Sequence, residues 1–198
     1  MMPQADTLNT EALDQIAQLG ESHEKAFLFI TAGETDRQIQ HSQRAQESFR
    51  HALEVAGAIG DHRAASYALG YSGQLYEHDK QLEQALSLTR QAIFEAQQAQ
   101  IPDALYRWEW QAGRLLKAQC EMEPAIAAYR RAIQTLQPIR HDISLGYGNA
   151  TTNTFFREAV GPLFFEMADL LLQQAGNSKN SQPLLLEARD TVEQLKAV

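Results

Sequence analysis

The chain has 198 residues, 44% of them hydrophobic and 21% charged, with a net charge of −8. That suits one domain or one compact array with enough apolar matter for a core, and it argues against non-specific nucleic-acid binding and against docking on anionic membranes, both of which need a basic surface. A single cysteine, Cys120, excludes an internal disulfide, and no apolar run approaches the roughly 20 residues of a membrane span.

The first residues, "MMPQADTLNT", lack the basic and apolar segments of a signal peptide. A cytoplasmic location is expected, with residues 1–8 as a flexible N-terminus. A short helix follows, and then a repeat. Gly33, Gly73 and Gly113 are 40 residues apart. Twelve residues after each glycine stands an alanine: Ala45, Ala85, Ala125. Phe49, Thr89 and Tyr129 follow four residues later, then Ala52, Ala92 and Ala132. Small residues in one register point to helix pairs whose backbones approach closely. An aromatic one turn on fills the gap. In the second copy, "RAASYALGYSGQLYEH" predicts helix A and "LEQALSLTRQAIFEAQQA" predicts helix B. A two-helix unit cannot bury its apolar face alone, so it must stack on a neighbour. With almost no strand signal, the expected fold is all-α, an α-solenoid of antiparallel helix pairs. It has about three regular 40-residue repeats in residues 9–137.

A strict period would place the next glycine at Asn153, where nothing fits. The next helix with a small residue in an apolar face is "LFFEMADLLL", with Ala168. About 15 residues are therefore inserted, in a loop at 138–153 rich in glycine and asparagine. Residues 154–198 form an irregular fourth helical repeat. Within it Pro162 either kinks one long helix or opens a new one. The helix after Pro162 is apolar on nearly all sides, through Leu163, Phe164, Phe165, Met167, Leu170, Leu171 and Leu172. It calls for cover on every side.

The repeat columns resemble the tetratricopeptide repeat, best in "YRWEWQAGRLLKAQCEMEPAIAAYRRAIQTLQP" at residues 106–138. The period is longer than usual. Glu109 occupies the family's tryptophan position, and Asp36 stands where an aromatic or leucine usually ends helix A. A narrower resemblance joins "YALGYSGQLYE", "QAIFEAQQA", "AIAAYRRAI" and, most specifically, "FREAVGPLFFEMADLLL" followed by "LLLEARDTVEQLK". In this order they are similar to the repeat region of bacterial CHAT-domain proteins, the caspase-like peptidases associated with tetratricopeptide repeats. The resemblance implies a regulatory or sensor repeat region whose peptidase domain, in cis or in trans, is not within these 198 residues. The alternative is a stand-alone scaffold or adaptor that oligomerises, for instance as a homodimer, through its apolar last repeat.

In such arrays helix A lines a concave groove. In the third unit Arg107, Trp110, Arg114 and Lys117 are spaced 3, 4 and 3 apart, on one stripe. Leu105, Trp108, Ala112 and Leu116 fall on the opposite, core side. The same register gives Tyr67, Gln74, Glu77 and His78 in the second unit and Phe27, Ile30, Glu34 and Arg37 in the first. A basic stripe with an aromatic suits an acidic peptide or a C-terminal carboxylate. The alternative is a solvated face whose arginines pair with Glu77 or Glu109. No catalytic residues are expected. Cys120 reads as a small buried or junction residue near the end of helix A, the six histidines are scattered, and no metal or phosphate-loop motif occurs. The reading is a non-catalytic protein-interaction module without cofactor or metal, its partner a protein or peptide.

Overall fold

The computed structural model describes residues 2–140 and 152–196. Among them there are nine α-helices and no strand: α1 (Met2–Ala17), α2 (His23–Gln38), α3 (Ser42–Ile59), α4 (His62–His78), α5 (Leu82–Gln98), α6 (Pro102–Ala118), α7 (Met122–Leu136), α8 (Thr152–Gly176) and α9 (Gln182–Lys196), with a 3-10 turn at Gln137–Ile139. Helices pack on their successors in consecutive pairs, so the all-α solenoid class holds. The two helices expected in the second copy are α4 and α5, within a residue at each end. The inserted loop lies almost wholly at 141–151, outside the described residues.

The helices keep time to a period finer than the 40-residue repeat. α3 to α7 begin at Ser42, His62, Leu82, Pro102 and Met122, each 20 residues after the last. The intervening turns share one geometry. Gln40, Gly60, Lys80, Gln100 and Cys120 all have left-handed backbones, with φ of 65°, 69°, 61°, 52° and 63°. The next residue's N–H in each case reaches back five residues: His41 to the Asp36 carbonyl (2.8 Å), Asp61 to Ala56 (2.9 Å), Gln81 to Tyr76 (2.9 Å), Ile101 to Ala96 (3.1 Å) and Glu121 to Leu116 (2.9 Å). This is the Schellman closure of a helix C-terminus. Glycine is the residue it prefers, and only one of the five turns has it. Cys120 is therefore a junction residue, as expected of that position, and is exposed rather than buried.

Two compact units make up the chain, Met1–Trp108 and Glu109–Val198, with the boundary inside α6. In the first unit Ala45, Ala52, Ala85 and Ala92 are fully buried. A Cβ added to Gly33 would lie 2.6 Å from Phe49 Cε1, so the ring occupies the space the glycine leaves. Thr89 stands where the repeat elsewhere has an aromatic, and its hydroxyl turns back to the Ala85 carbonyl at 2.7 Å. The large ring nearby comes from α6 instead. Trp108 is fully buried against Gly70, whose Cβ would come within 2.4 Å of Trp108 Cε2. The indole N–H donates to Ser66 Oγ (3.0 Å), and that hydroxyl donates to the Ala92 carbonyl (2.9 Å), so both of these buried polar side chains are satisfied.

At the first unit's N-terminal end, α1 is tied to the rest by polar contacts. Asn9 donates to the Ala32 carbonyl at 3.1 Å. Buried Lys25 donates to the Leu19 carbonyl (2.7 Å) and pairs with Glu21 (2.9 Å), placing a cation at the C-terminal end of α1, where the helix dipole favours it. Residues 2–8 belong to this helix. Asp36, anomalous in the repeat pattern, is fully buried beside Arg44 Nη2 at 3.1 Å. The Arg44 guanidinium also pairs with Asp6, and His41 lies 3.3 Å from the same carboxylate.

In the second unit the repeat columns recur. Ala125 and Ala132 are fully buried, and a Cβ on Gly113 would lie 2.8 Å from Tyr129 Cδ2. α8 packs on α7 and on α9. It runs as one helix of 25 residues with Pro162 inside it, so Pro162 does not begin a helix. Leu163, Phe164, Met167, Leu170 and Leu171 are buried. Phe165 and Leu172, two turns apart, remain 56% and 52% exposed, so the all-round cover expected of this helix is incomplete. The Phe155 side chain lies outside the described set.

Candidate partner-binding surface

The expected groove residues fall into two sets, one in each unit. In the first unit α2 and α4 lie against each other and the N-terminal half of α6 follows. Their shared face carries a run of rings. His23 lies 4.5 Å from Phe27, Phe27 meets Tyr67 edge-on at 5.8 Å, and Tyr67 is 6.0 Å from Tyr71. Both tyrosines rest edge-on against the buried Trp108, at 6.1 and 5.4 Å. The rings thus form a floor whose position is fixed by the core. Ile30 does not belong to it. It is 4% exposed and packs in the core with Ile16 and Phe29, because its place on α2 points inward.

Charges surround this floor. The Tyr67 hydroxyl donates to Asp103 at 2.9 Å, and Arg63 lies 3.5 Å from the same carboxylate. Burial, and then Asp103, push the Tyr67 phenol up to about 12. Tyr71 is also raised, chiefly by burial and then by Glu34, while Arg107 and Arg37 act against the rise. Arg37 forms a two-bond pair with Glu34, at 2.8 and 3.0 Å. Arg63 and Arg107 are both exposed, and Arg63 is the one paired, with Asp103. The Arg107 guanidinium lies 5.9 Å from the Tyr106 ring centroid, and no ion pair engages it among the described residues. Gln74 and His78 lie toward the C-terminal end of α4. With Arg37, Gln40, Ser42 and Leu75 they line a cavity of about 400 Å³. Glu77, partly buried, stands beside them on α4.

The second unit holds Trp110, Arg114 and Lys117, each half-buried. Trp110 and Lys117 find carboxylate partners on α8. Trp110 Nε1 donates to Glu166 at 2.7 Å, and the Tyr129 hydroxyl donates to the same carboxylate at 2.9 Å. Lys117 pairs with Asp169 at 3.1 Å. That contact, with Gln173 adding to it, holds the Asp169 carboxyl below its ordinary range. Arg114 sits over the Trp110 ring, 5.3 Å from its centroid, in cation–π geometry. Glu109 points elsewhere. It is buried, accepts from the Thr135 hydroxyl at 2.7 Å, and lies 3.8 Å from Arg131. Burial pushes its carboxyl up, with Thr135 and Arg131 opposing. Two carboxylates of the chain itself, Glu166 and Asp169, therefore meet Trp110 and Lys117 in the second half of the basic stripe, while Glu109 turns to Thr135 and Arg131. A signal was present. Glu166 and Asp169 are the only acids between Gly161 and Gln173, and their spacing of three matches that of Arg114 and Lys117.

Donor atoms of Asp6, Asp36 and His41 lie within 4.8 Å of one another. Arg44 sits among them on both carboxylates, so the group is an internal ion cluster with its cation supplied by the chain. No helix among the described residues is long and apolar enough to cross a membrane.

These features define an all-α protein of the helical-repeat kind. Among solved structures, BtubC (BKLC) from P. vanneervenii is similar to it, with a TM-score of 0.66 and 13% identity over 99% of this chain and 72% of that one. At that identity the likeness concerns the fold. No family model and no curated protein matches the chain.

Proposed function

We propose that this chain is a non-catalytic protein-interaction module of the tetratricopeptide type that binds a peptide on the face shared by α2, α4 and α6. The observation that carries the reading is Arg107. It is an exposed guanidinium with no ion-pair partner, standing beside a floor of Phe27, Tyr67 and Tyr71 that the core holds in place. A rigid aromatic surface gives contact area at low entropic cost, and an exposed guanidinium without an ion pair supplies a two-bond site for a carboxylate. The partner is an acidic peptide or a C-terminal carboxylate. Trp110, Arg114 and Lys117 play a different part in this reading, since Trp110 and Lys117 already hold carboxylates of α8. The sequence likeness to CHAT-domain proteins suggests that the module is the cytoplasmic regulatory region of a caspase-like peptidase.

The test is an array of short peptides with free or amidated C-termini, followed by titration of the best binder. Arg107→Glu is expected to weaken binding at least about tenfold, which is about 1.4 kcal/mol. Unchanged affinity in Arg107→Glu, or equal affinity for free and amidated termini together with no preference for acidic residues, refutes the reading.

A second reading rests on exposed Phe165 and Leu172, with Leu185 and Leu186 of α9 exposed at 46% and 45%. It makes the chain a stand-alone adaptor that self-associates through the last repeat. Sedimentation equilibrium of the wild type against Phe165→Ser/Leu172→Ser decides it. A monomeric wild type sinks this alternative.

A further inference from the structure

A trough of about 600 Å³ opens on the first unit between α1 and α3, with α2 beneath. Its residues on α3 run from Arg44 to Val55, a length of about 16 Å at 1.5 Å per residue. The floor is apolar: Leu13 from α1, Phe29 from α2 and Val55 from α3. His51 lies flat on Phe29, 5.3 Å between centroids and 29° between planes, and extends that floor to the rim.

The charges of the trough are unevenly committed. Both cations are spoken for, Lys25 by Glu21 and the Leu19 carbonyl, Arg44 by Asp6 and Asp36. Glu54 is engaged with Arg50 and His51 on its own helix. Asp14 on the α1 bank and Glu47 on the α3 bank are exposed, and neither hydrogen bond nor ion pair holds either carboxylate among the described residues. The trough therefore offers an elongated apolar floor between two uncompensated anionic banks. Among the described residues no cation forms an ion pair with either of them.

We propose that this trough binds a small aliphatic polyamine, a chain of methylene groups carrying two or more ammonium groups. The methylenes lie on Leu13, Phe29 and Val55, and the ammonium groups reach Asp14 on one bank and Glu47 on the other. A compact inorganic cation would leave the apolar floor uncovered. An uncharged amphiphile would leave the carboxylates without a counterion. The ligand also bridges α1 to α3, so it fastens the N-terminal helix to the first repeat. This site is separate from the peptide face on α2, α4 and α6.

The experiment is calorimetric titration of the full chain with spermidine at low salt. Saturable binding at one site is expected, and Asp14→Asn/Glu47→Gln weakens it at least about tenfold. Glu83→Gln/Glu121→Gln removes the same charge at exposed positions elsewhere and leaves affinity unchanged. Amide hydrogen exchange of α1 slows when spermidine is added to the wild type but not to Asp14→Asn/Glu47→Gln. The proposal is overturned if the two double variants lose affinity equally, or if magnesium chloride at matched ionic strength gives the same slowing of exchange. Tighter binding of a lysine-rich peptide than of spermidine also overturns it, because the trough would then be a protein-docking surface.

Discussion

Four of the five helix-closing turns place a side-chain-bearing residue where the backbone is left-handed, which makes them the clearest handle on stability. Gln40, Lys80, Gln100 and Cys120 have φ between 52° and 65°. An L residue there crowds its Cβ against the following carbonyl and costs about 1–2 kcal/mol. Glycine avoids that cost but loses more entropy on folding, about 0.5–1 kcal/mol. The net gain from each substitution by glycine is therefore about 0.5–1 kcal/mol. The four turns close different helices and share no backbone hydrogen bond. Their effects should add, giving about 2–4 kcal/mol for the quadruple variant and about 4–16 °C in Tm for a chain of this size. Gly60 supplies the reverse test. Nothing lies within 4 Å of a Cβ built there, so no clash enters Gly60→Ala, and the same balance of strain against entropy should lower stability by about 0.5–1 kcal/mol. Urea denaturation of the five single variants and the quadruple variant checks both signs. A quadruple variant no more stable than wild type, with Gly60→Ala neutral, would show that the shared turn geometry does not govern these helix ends.

Three further predictions follow from single contacts. Gly70→Ala drives a methyl into the fixed indole of Trp108, and an overpacking cost of about 1–3 kcal/mol should outweigh the roughly 1 kcal/mol of helix propensity gained. Gly57→Ala, with nothing within 4 Å of the new Cβ, should be stabilising, and thermal melts compare the two. Tyr67 ionises at about 12 in the folded chain and near 10 when unfolded, so the unfolded state releases its proton first. The stability tied to its neutral form is complete below pH 10 and lost as pH climbs toward 12. Tyr67→Phe should flatten that part of a urea-stability profile taken from pH 9 to 12. Glu109 is raised by burial, so its ionisation opposes folding, and the penalty grows as pH rises through its folded value. Glu109→Gln, which keeps an acceptor for Thr135, should stabilise the chain at pH 7. The gain should vanish near pH 4, and denaturation at the two pH values reads it.

The helix pairs were legible because their cause is steric and local. Gly33 against Phe49, and Gly113 against Tyr129, need a small residue and a ring at a fixed offset, and that offset is visible as a column. The 20-residue turn period was hidden by the same logic. Its structural signature is a positive φ, which announces itself in sequence only through glycine or asparagine. Here glutamine, lysine and cysteine accept the strain. The role of Gly70 was hidden for another reason. Its partner Trp108 comes from a helix 38 residues further along, outside any repeat column.

The site was legible by half. Helical spacing separates exposed Arg107 and half-buried Trp110, Arg114 and Lys117 from the buried Trp108, Ala112 and Leu116, while Leu105, expected on the core side, is only half-buried. Spacing says which way a side chain leaves its own helix. It does not say what the next helix presents to it. The insertion before α8 breaks the register that would align Glu166 and Asp169 with the stripe, and the two acids stand within a stretch dominated by apolar residues. The consequence is chemical. A Trp110 indole, a Tyr129 hydroxyl and a Lys117 ammonium that already bind carboxylates of the same chain can accept a peptide carboxylate only by exchange. An incoming acid must repay the contacts it displaces, so its net gain there is small. At Arg107 no carboxylate of the described residues has to be displaced, and there the binding free energy of an acidic partner should concentrate.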